Sequence, residues 1–150
     1  MFSAVLGTLL AFIAVDDFLF YRVRNPANAL LAGFGLLFCL ANGQVIDGLA
    51  GGALGFALIY GAAWAYRSWR GREGIGMGDA KLLGAGGIWT GAQDVPLALF
   101  VACACALVAS ALWPRIFRRE KPGGKIPFAP FLCLGISAAW LGLGDAVFPR

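Results

Sequence analysis

The chain has 150 residues, 60% of them hydrophobic and 13% charged, with a formal net charge of +4 and a mean hydropathy of +0.78. Its 12 basic and 8 acidic side chains cannot cover the wet surface of a domain this size, which excludes a soluble fold and makes a bilayer its medium. Histidine is absent, so every mechanism needing an imidazole base or ligand is excluded, leaving carboxylates, lysines, hydroxyls and thiols.

A spanning helix needs about 20 mostly apolar residues. Six stretches qualify, at approximately Phe2–Tyr21, Pro26–Ala41, Gly48–Tyr66, Ala80–Thr90, Val95–Trp113 and Ile126–Leu143. They are continuously apolar rather than alternating, which predicts helices and not barrel strands. The expected fold is all-α, a single polytopic membrane-embedded domain over residues 1–150 with about six transmembrane helices and catalytic loops on the cytoplasmic face.

The first stretch is interrupted by Asp16 and Asp17 before Phe18-Leu19-Phe20-Tyr21 resumes it. At about 1.5 Å per residue, Asp17 lies roughly 6–8 Å before Arg22, inside the boundary that the arginine marks. Charge at that depth is expensive and usually functional, unless both aspartates ride in the headgroup zone and pair with Arg22 or Arg24. A cleavable signal peptide would place its positive charge ahead of the apolar run, whereas these arginines follow it, so the stretch reads as a retained helix. The third stretch carries small-x-x-x-small pairs, Gly48/Gly52 and Gly51/Gly55, which suit close helix association.

Between the third and fourth stretches runs Glu73-Gly74-Ile75-Gly76-Met77-Gly78-Asp79-Ala80-Lys81-Leu82. Glycine allows close backbone approach, and Asp79 reads either as a helix N-cap or as a site carboxylate. A phosphate loop is discounted, because no strand precedes it and Asp79 would repel phosphate. The fourth stretch, Ala80–Thr90, would cover about 16 Å, short of the roughly 30 Å hydrocarbon core. Such a helix is tolerated only where protein or a watery cavity surrounds it. The sixth stretch opens on Pro127 and Pro130, which serve as helix-entry residues or shape the backbone there.

The loops supply an independent test. Arg22 and Arg24, then Arg67, Arg70, Arg72 and Lys81, then Arg115, Arg118, Arg119, Lys121 and Lys125 follow the first, third and fifth stretches, placing all the basic residues but Arg150 on one side. That side is cytoplasmic, and both termini are expected on the other. The basic loops lack interleaved stacking aromatics, so topology and anionic lipid account for them better than nucleic acid does. Cys39, Cys103, Cys105 and Cys133 lie in apolar runs without a C-x-x-C pair, so neither a zinc site nor a disulfide framework is expected. No cofactor or metal is called for.

Two aspartates at the cytoplasmic ends of two helices, in a chain without histidine, suggest hydrolysis by a carboxylate pair. When two carboxyl groups approach closely, both cannot ionise cheaply, and the pair holds one proton. The ionised member can then draw a proton from water while the protonated one hydrogen-bonds the scissile carbonyl. Sequence separation alone does not bring Asp17 to Asp79.

The stretch Glu73–Leu82 followed by Gly91 resembles the G-x-G-D signature of type IV prepilin peptidases, membrane aspartyl proteases. Lys125-Ile126-Pro127-Phe128-Ala129-Pro130-Phe131-Leu132 resembles that family's I-P-F-G-P-[FY]-L segment, with Ala129 in place of glycine. The family's first aspartate stands eight residues before an Asn or Asp closing an apolar-Pro-[Asn/Asp] turn, a spacing that Asp17 and Asn25 match. Val23-Arg24-Asn25 departs from the usual Ile-Pro-Asn, which leaves Asp16 as an alternative. The resemblance implies a multi-pass protein of the bacterial inner membrane that cleaves the short basic leader from prepilins or pseudopilins, with Asp17 and Asp79 as the catalytic pair. It implies that Gly76 and Gly78 shape the approach to Asp79 and that the Pro127/Pro130 segment fixes adjacent backbone. Glu73 would be a solvated loop acid or would attract the leader's positive charge, and Lys81 would snorkel to the surface or tune the pair. Lacking the paired C-x-x-C region of larger members, the chain resembles short peptidase-only forms such as those accompanying Flp-type pili, without an N-terminal zinc or methyltransferase domain. The rival readings are a non-enzymatic scaffold or transporter subunit and an inactive homologue. Oligomeric state is not legible.

Overall fold

The computed structural model describes residues 2–20, 25–71, 76–116 and 128–143, and every described element is helical. The elements are α1 (Phe2–Phe20), α2 (Asn25–Asn42), α3 (Val45–Arg70), α4 (Met77–Thr90), α5 (Val95–Ile116) and α6 (Ala129–Ala138), the last continuing into a π-helical turn at Ala139–Leu143. These are the six expected helices. The aspartates interrupt the apolar run of α1 but not its helix, which continues unbroken to Phe20. Three helices, α1, α3 and α5, are long and apolar enough to cross a bilayer.

Two short helices form the centre. α4 packs against α2, α3 and α6, while α6 packs against α1 and α5. Four longer helices thus sheathe two short ones. This arrangement answers the length anomaly of α4. Its 14 residues include Ala80, Leu82–Gly87 and Trp89 in buried positions, so protein rather than lipid meets most of its surface.

Glycine makes the α3–α4 contact possible. A Cβ on Gly51 would collide with the carbonyl oxygen of Gly87, and one on Gly55 would come within 2.6 Å of the Leu83 carbonyl oxygen. A Cβ on Gly52 would meet Ile88 Cγ1 at 2.8 Å. The stripe Gly48, Gly51, Gly52, Gly55 therefore lets two backbones touch, gaining dispersion contacts where lipid offers no hydrophobic drive for helix association. On its α2 side, α4 is fixed by Trp89, whose indole N–H donates to the Leu31 carbonyl at 2.8 Å. Trp89 stacks on Phe38 with centroids 5.6 Å apart, and Trp140 meets both rings edge-on.

The two connections free of basic residues meet at one end. Gly91, at φ 80°, turns the chain out of α4, and the Ala92 N–H donates to Asp47 Oδ1 at 3.3 Å. The opposite end carries Asn25, Gly78 and Lys81. There the Lys81 ammonium donates to Asn25 Oδ1 at 2.9 Å, and Asn28 Nδ2 donates to the Gly78 carbonyl at 3.5 Å.

Candidate active site

α1 aims Asp17 inward because of its spacing. Leu6, Leu10 and Ile13 recur at steps of four and three, all are at most 2% exposed, and Asp17 is the next residue of that stripe. Asp17 is 6% exposed, so protein covers most of it. Asp16 is buried as well, at 8%.

α4 begins at Met77, with Gly76 at the N-cap, so Asp79 occupies the third helical position rather than the cap. This corrects the capping alternative for Asp79. The extended Gly76 backbone opens the helix, its carbonyl accepts the Asp79 N–H at 3.1 Å, and no side chain caps the end. The Asp79 carboxylate is thereby free to face the bundle, where it is half-buried.

Asp79 lies within electrostatic reach of Asp17, and Cys133 within reach of both. The third contributor is α6, whose first residue, Ala129, brings its backbone near the Asp17 carboxylate. Cys133 follows one turn later on the same buried face, with Leu132 and Ile136 beside it. The interactions that join α1, α4 and α6 here include those of Asp17 with Asp79, Cys133 and Ala129.

The other expected site residues divide. A Cβ on Gly76 would lie 3.3 Å from Asp79 Oδ2, so this glycine adjoins the carboxylate directly. Gly78 presents its carbonyl to Asn28. Lys81 reaches away to Asn25, holding the start of α4 against the start of α2. Pro130 occupies the first turn of α6, beside Ala129. Glu73 and Pro127 lie outside the described residues, as do Arg22, Arg24, Arg72, Arg118, Arg119, Lys121 and Lys125.

Three participants escape a reading of the sequence. Cys133 reads there as an ordinary apolar-run cysteine, and only its i, i+4 relation to Ala129 hints that it shares a face with the proline segment. Asn28 is 5% exposed, and the signal for it is a lone amide within an otherwise apolar span. The Ala129 contact is made by main chain, which leaves no side-chain trace. Among the described residues, no group of three or more Cys, Asp or Glu side chains could hold a metal ion. A groove of about 480 Å³ opens between α2 and α3 and is lined by Asn25, Asn28, Gly52, Lys81 and Gly84 among others, but neither aspartate lines it.

Chemically, the site offers two carboxyl groups within electrostatic reach of each other near the starts of two central helices. Comparison with known proteins finds a family match and curated relatives. Residues 4–111 match the type IV leader peptidase family. The chain is 36% identical over 143 residues to the prepilin leader peptidase/N-methyltransferase of Dickeya chrysanthemi, covering 87% of this chain and 48% of that protein. It is 32% identical over 135 residues to the protein of that name from Pectobacterium carotovorum subsp. carotovorum, covering 89% of this chain and 48% of the relative. With the Aeromonas salmonicida (strain A449) protein the identity is 34% over 142 residues, covering 92% and 46%. The chain thus spans about half the length of the curated relatives it matches. No solved structure matches it.

Proposed function

The chain belongs to the type IV leader peptidase family, and we propose that it is a membrane aspartyl endopeptidase that removes the short basic leader from type IV or Flp-type prepilins or pseudopilins. The cut is made at the cytoplasmic face of the inner membrane. The observation that supports this reading is that Asp17 and Asp79 lie within electrostatic reach of each other near the starts of α4 and α6.

The reaction needs one carboxyl group ionised and one protonated. The ionised carboxylate takes a proton from water as the water oxygen attacks the scissile carbonyl carbon, and the protonated group delivers its proton to the carbonyl oxygen. The tetrahedral diol then collapses. The C–N bond breaks, the leaving nitrogen takes the proton just acquired by the first carboxylate, and a diol hydroxyl returns a proton to the second. One water is consumed and the pair ends as it began. No covalent intermediate forms. Helix N-termini beside the pair supply partial positive charge that moderates the repulsion of two adjacent carboxyl groups.

Cleavage of a co-expressed prepilin tests the assignment. With matched protein levels, Asp17→Asn and Asp79→Asn should each lower turnover by about 10²-fold or more, the usual scale for loss of a positioned acid or base. Asp16→Asn should cleave normally. Full activity in either of the first two variants removes that aspartate from the mechanism.

A further inference from the structure

We propose that the groove between α2 and α3 is a binding site for an anionic phospholipid, with the phosphate on the Lys81 ammonium and one acyl chain laid along α4. Neither aspartate lines this groove, so the site stands apart from the carboxylate pair and does not depend on the peptidase reading.

The lining of the groove is sorted along its length. Among the described residues, its polar side chains are Asn25, Asn28 and Lys81, all at the starts of α2 and α4. The rest of the lining is glycine, alanine and larger apolar residues such as Leu49, Phe56 and Ile88. From Lys81 to Ile88, α4 carries that lining over about 10 Å. The polar end is also the charged one. Lys81 is exposed, its ammonium has three N–H donors, and among the described residues only Asn25 Oδ1, at 2.9 Å, takes one of them. No described carboxylate lines the groove to neutralise that charge. A buried acceptor stands at the same end. Asn28 is 5% exposed and its Nδ2 faces the Gly78 carbonyl at 3.5 Å, which leaves Oδ1 without a donor. Such a group is uncommon in a folded protein, and a headgroup hydroxyl is a donor suited to it.

A cationic, hydrogen-bonding end on an apolar length matches the two halves of an anionic amphiphile, and basic pockets between membrane helices hold acidic headgroups in this way. Size selects a lipid over a helix. The groove offers about 480 Å³ along that length, whereas an α-helix 10–12 Å across displaces more than this over the same 10 Å. A single acyl chain is slimmer and fits. The rims point to the same occupant, since Leu49, Ala53 and Phe56 are exposed on α3 and face the bilayer in which the chain sits. Lys81 thereby has a role beyond its tie to Asn25: it marks the depth at which the phosphate rests.

Lipid retention tests the site. The full chain, purified in mild detergent, is offered equimolar phosphatidylglycerol and phosphatidylcholine with the same acyl chains, and the lipid that stays bound is counted by native mass spectrometry. Phosphatidylglycerol, whose headgroup carries hydroxyls, should be held in preference by about fivefold or more, the scale of one lysine facing an anionic lipid. Lys81→Gln removes the charge but keeps an N–H for Asn25, and it should lower that preference by about fivefold without shifting the thermal unfolding midpoint. Lys81→Arg keeps the charge and should stay within about twofold of the unaltered protein. Ala53→Phe, which places a ring on the exposed wall of the groove, should lower retention of both lipids. Equal retention of the two lipids by the unaltered chain, or an undiminished preference in Lys81→Gln, overturns the site. Loss of the preference in Arg118→Gln with Arg119→Gln, but not in Lys81→Gln, also overturns it by moving the lipid to the loops. A dimer that Ala53→Phe splits would give the groove to a second copy of the chain instead.

Discussion

Gly76 acts through distance rather than through an unusual dihedral angle. Its φ of −73° is open to any residue, but a Cβ would sit 3.3 Å from Asp79 Oδ2, closer than carbon and oxygen normally rest. The carboxylate can yield by a few tenths of an ångström, so folding is spared while the proposed catalytic group moves. Gly76→Ala is expected to lower kcat by about two- to fivefold with unchanged thermal stability, and Gly76→Val by more, because small misplacements of a reacting group are costly. Equal losses of stability and activity would show that the glycine is structural. The same residues show what a sequence discloses. Asp17 is legible twice, as a charge inside an apolar run and as the continuation of the Leu6, Leu10, Ile13 stripe. Asp79 is legible through its glycines. Their proximity is not, because it depends on α1 and α4 both packing against α6, and no local pattern encodes that. Lys81 reads in the sequence as a residue that snorkels to the surface or tunes the pair, and the structure adds a bond from its ammonium to Asn25 that ties α4 to α2.

At the scale of elements, helix existence was readable from apolar run length, whereas the order of packing was not. The fourth stretch was too short to cross unaided, and that anomaly already required a protein sheath. Which helices supply the sheath follows from side-chain volume. The Gly48–Gly55 stripe admits α4 where any larger residue would exclude it, and Gly35 on α2 leaves room for the indole of Trp89, which a Cβ would approach to 2.8 Å. Gly51→Val should therefore force α3 off α4 and cost about 1–3 kcal/mol or more, the usual range for overpacking a tight contact. Gly61→Val, ten residues along the same helix with open space around its backbone, should be close to neutral. Thermal unfolding of the two proteins in detergent checks this, and equal midpoints would mean that the glycine stripe does not govern the α3–α4 contact. The start of α4 was placed less well. The fourth stretch was expected from Ala80, but the helix begins at Met77, because the extended Gly76 sets the first turn and carries Asp79 into the helix.

For the whole molecule, the starts of α4 and α6 lie together, so the face that holds the aspartates is the face into which the loops after α1, α3 and α5 lead. Those loops and the helix ends that flank them carry every lysine and arginine except Arg150. On the proposed reading, retention of positive charge in the cytoplasm orients the bundle with its carboxylates toward the compartment from which a basic leader would be presented. The aromatic residues of α3 agree with a boundary there, since Trp64 and Trp69 are 65% and 90% exposed near Arg67 and Arg70, the arrangement of an interfacial belt. Two consequences follow. Alkaline phosphatase fused after Arg150 should be active and fused after Arg70 inactive, and the reverse pattern would invert the orientation. The loop charges should also matter for insertion and not for substrate capture, because a basic leader is repelled by basic loops and the lysines and arginines are better matched to anionic lipid. Arg118→Gln with Arg119→Gln is therefore expected to lower the amount of correctly inserted protein by more than it lowers cleavage per inserted molecule. Normal insertion with a selective loss of cleavage would place the docking of the leader on these loops instead.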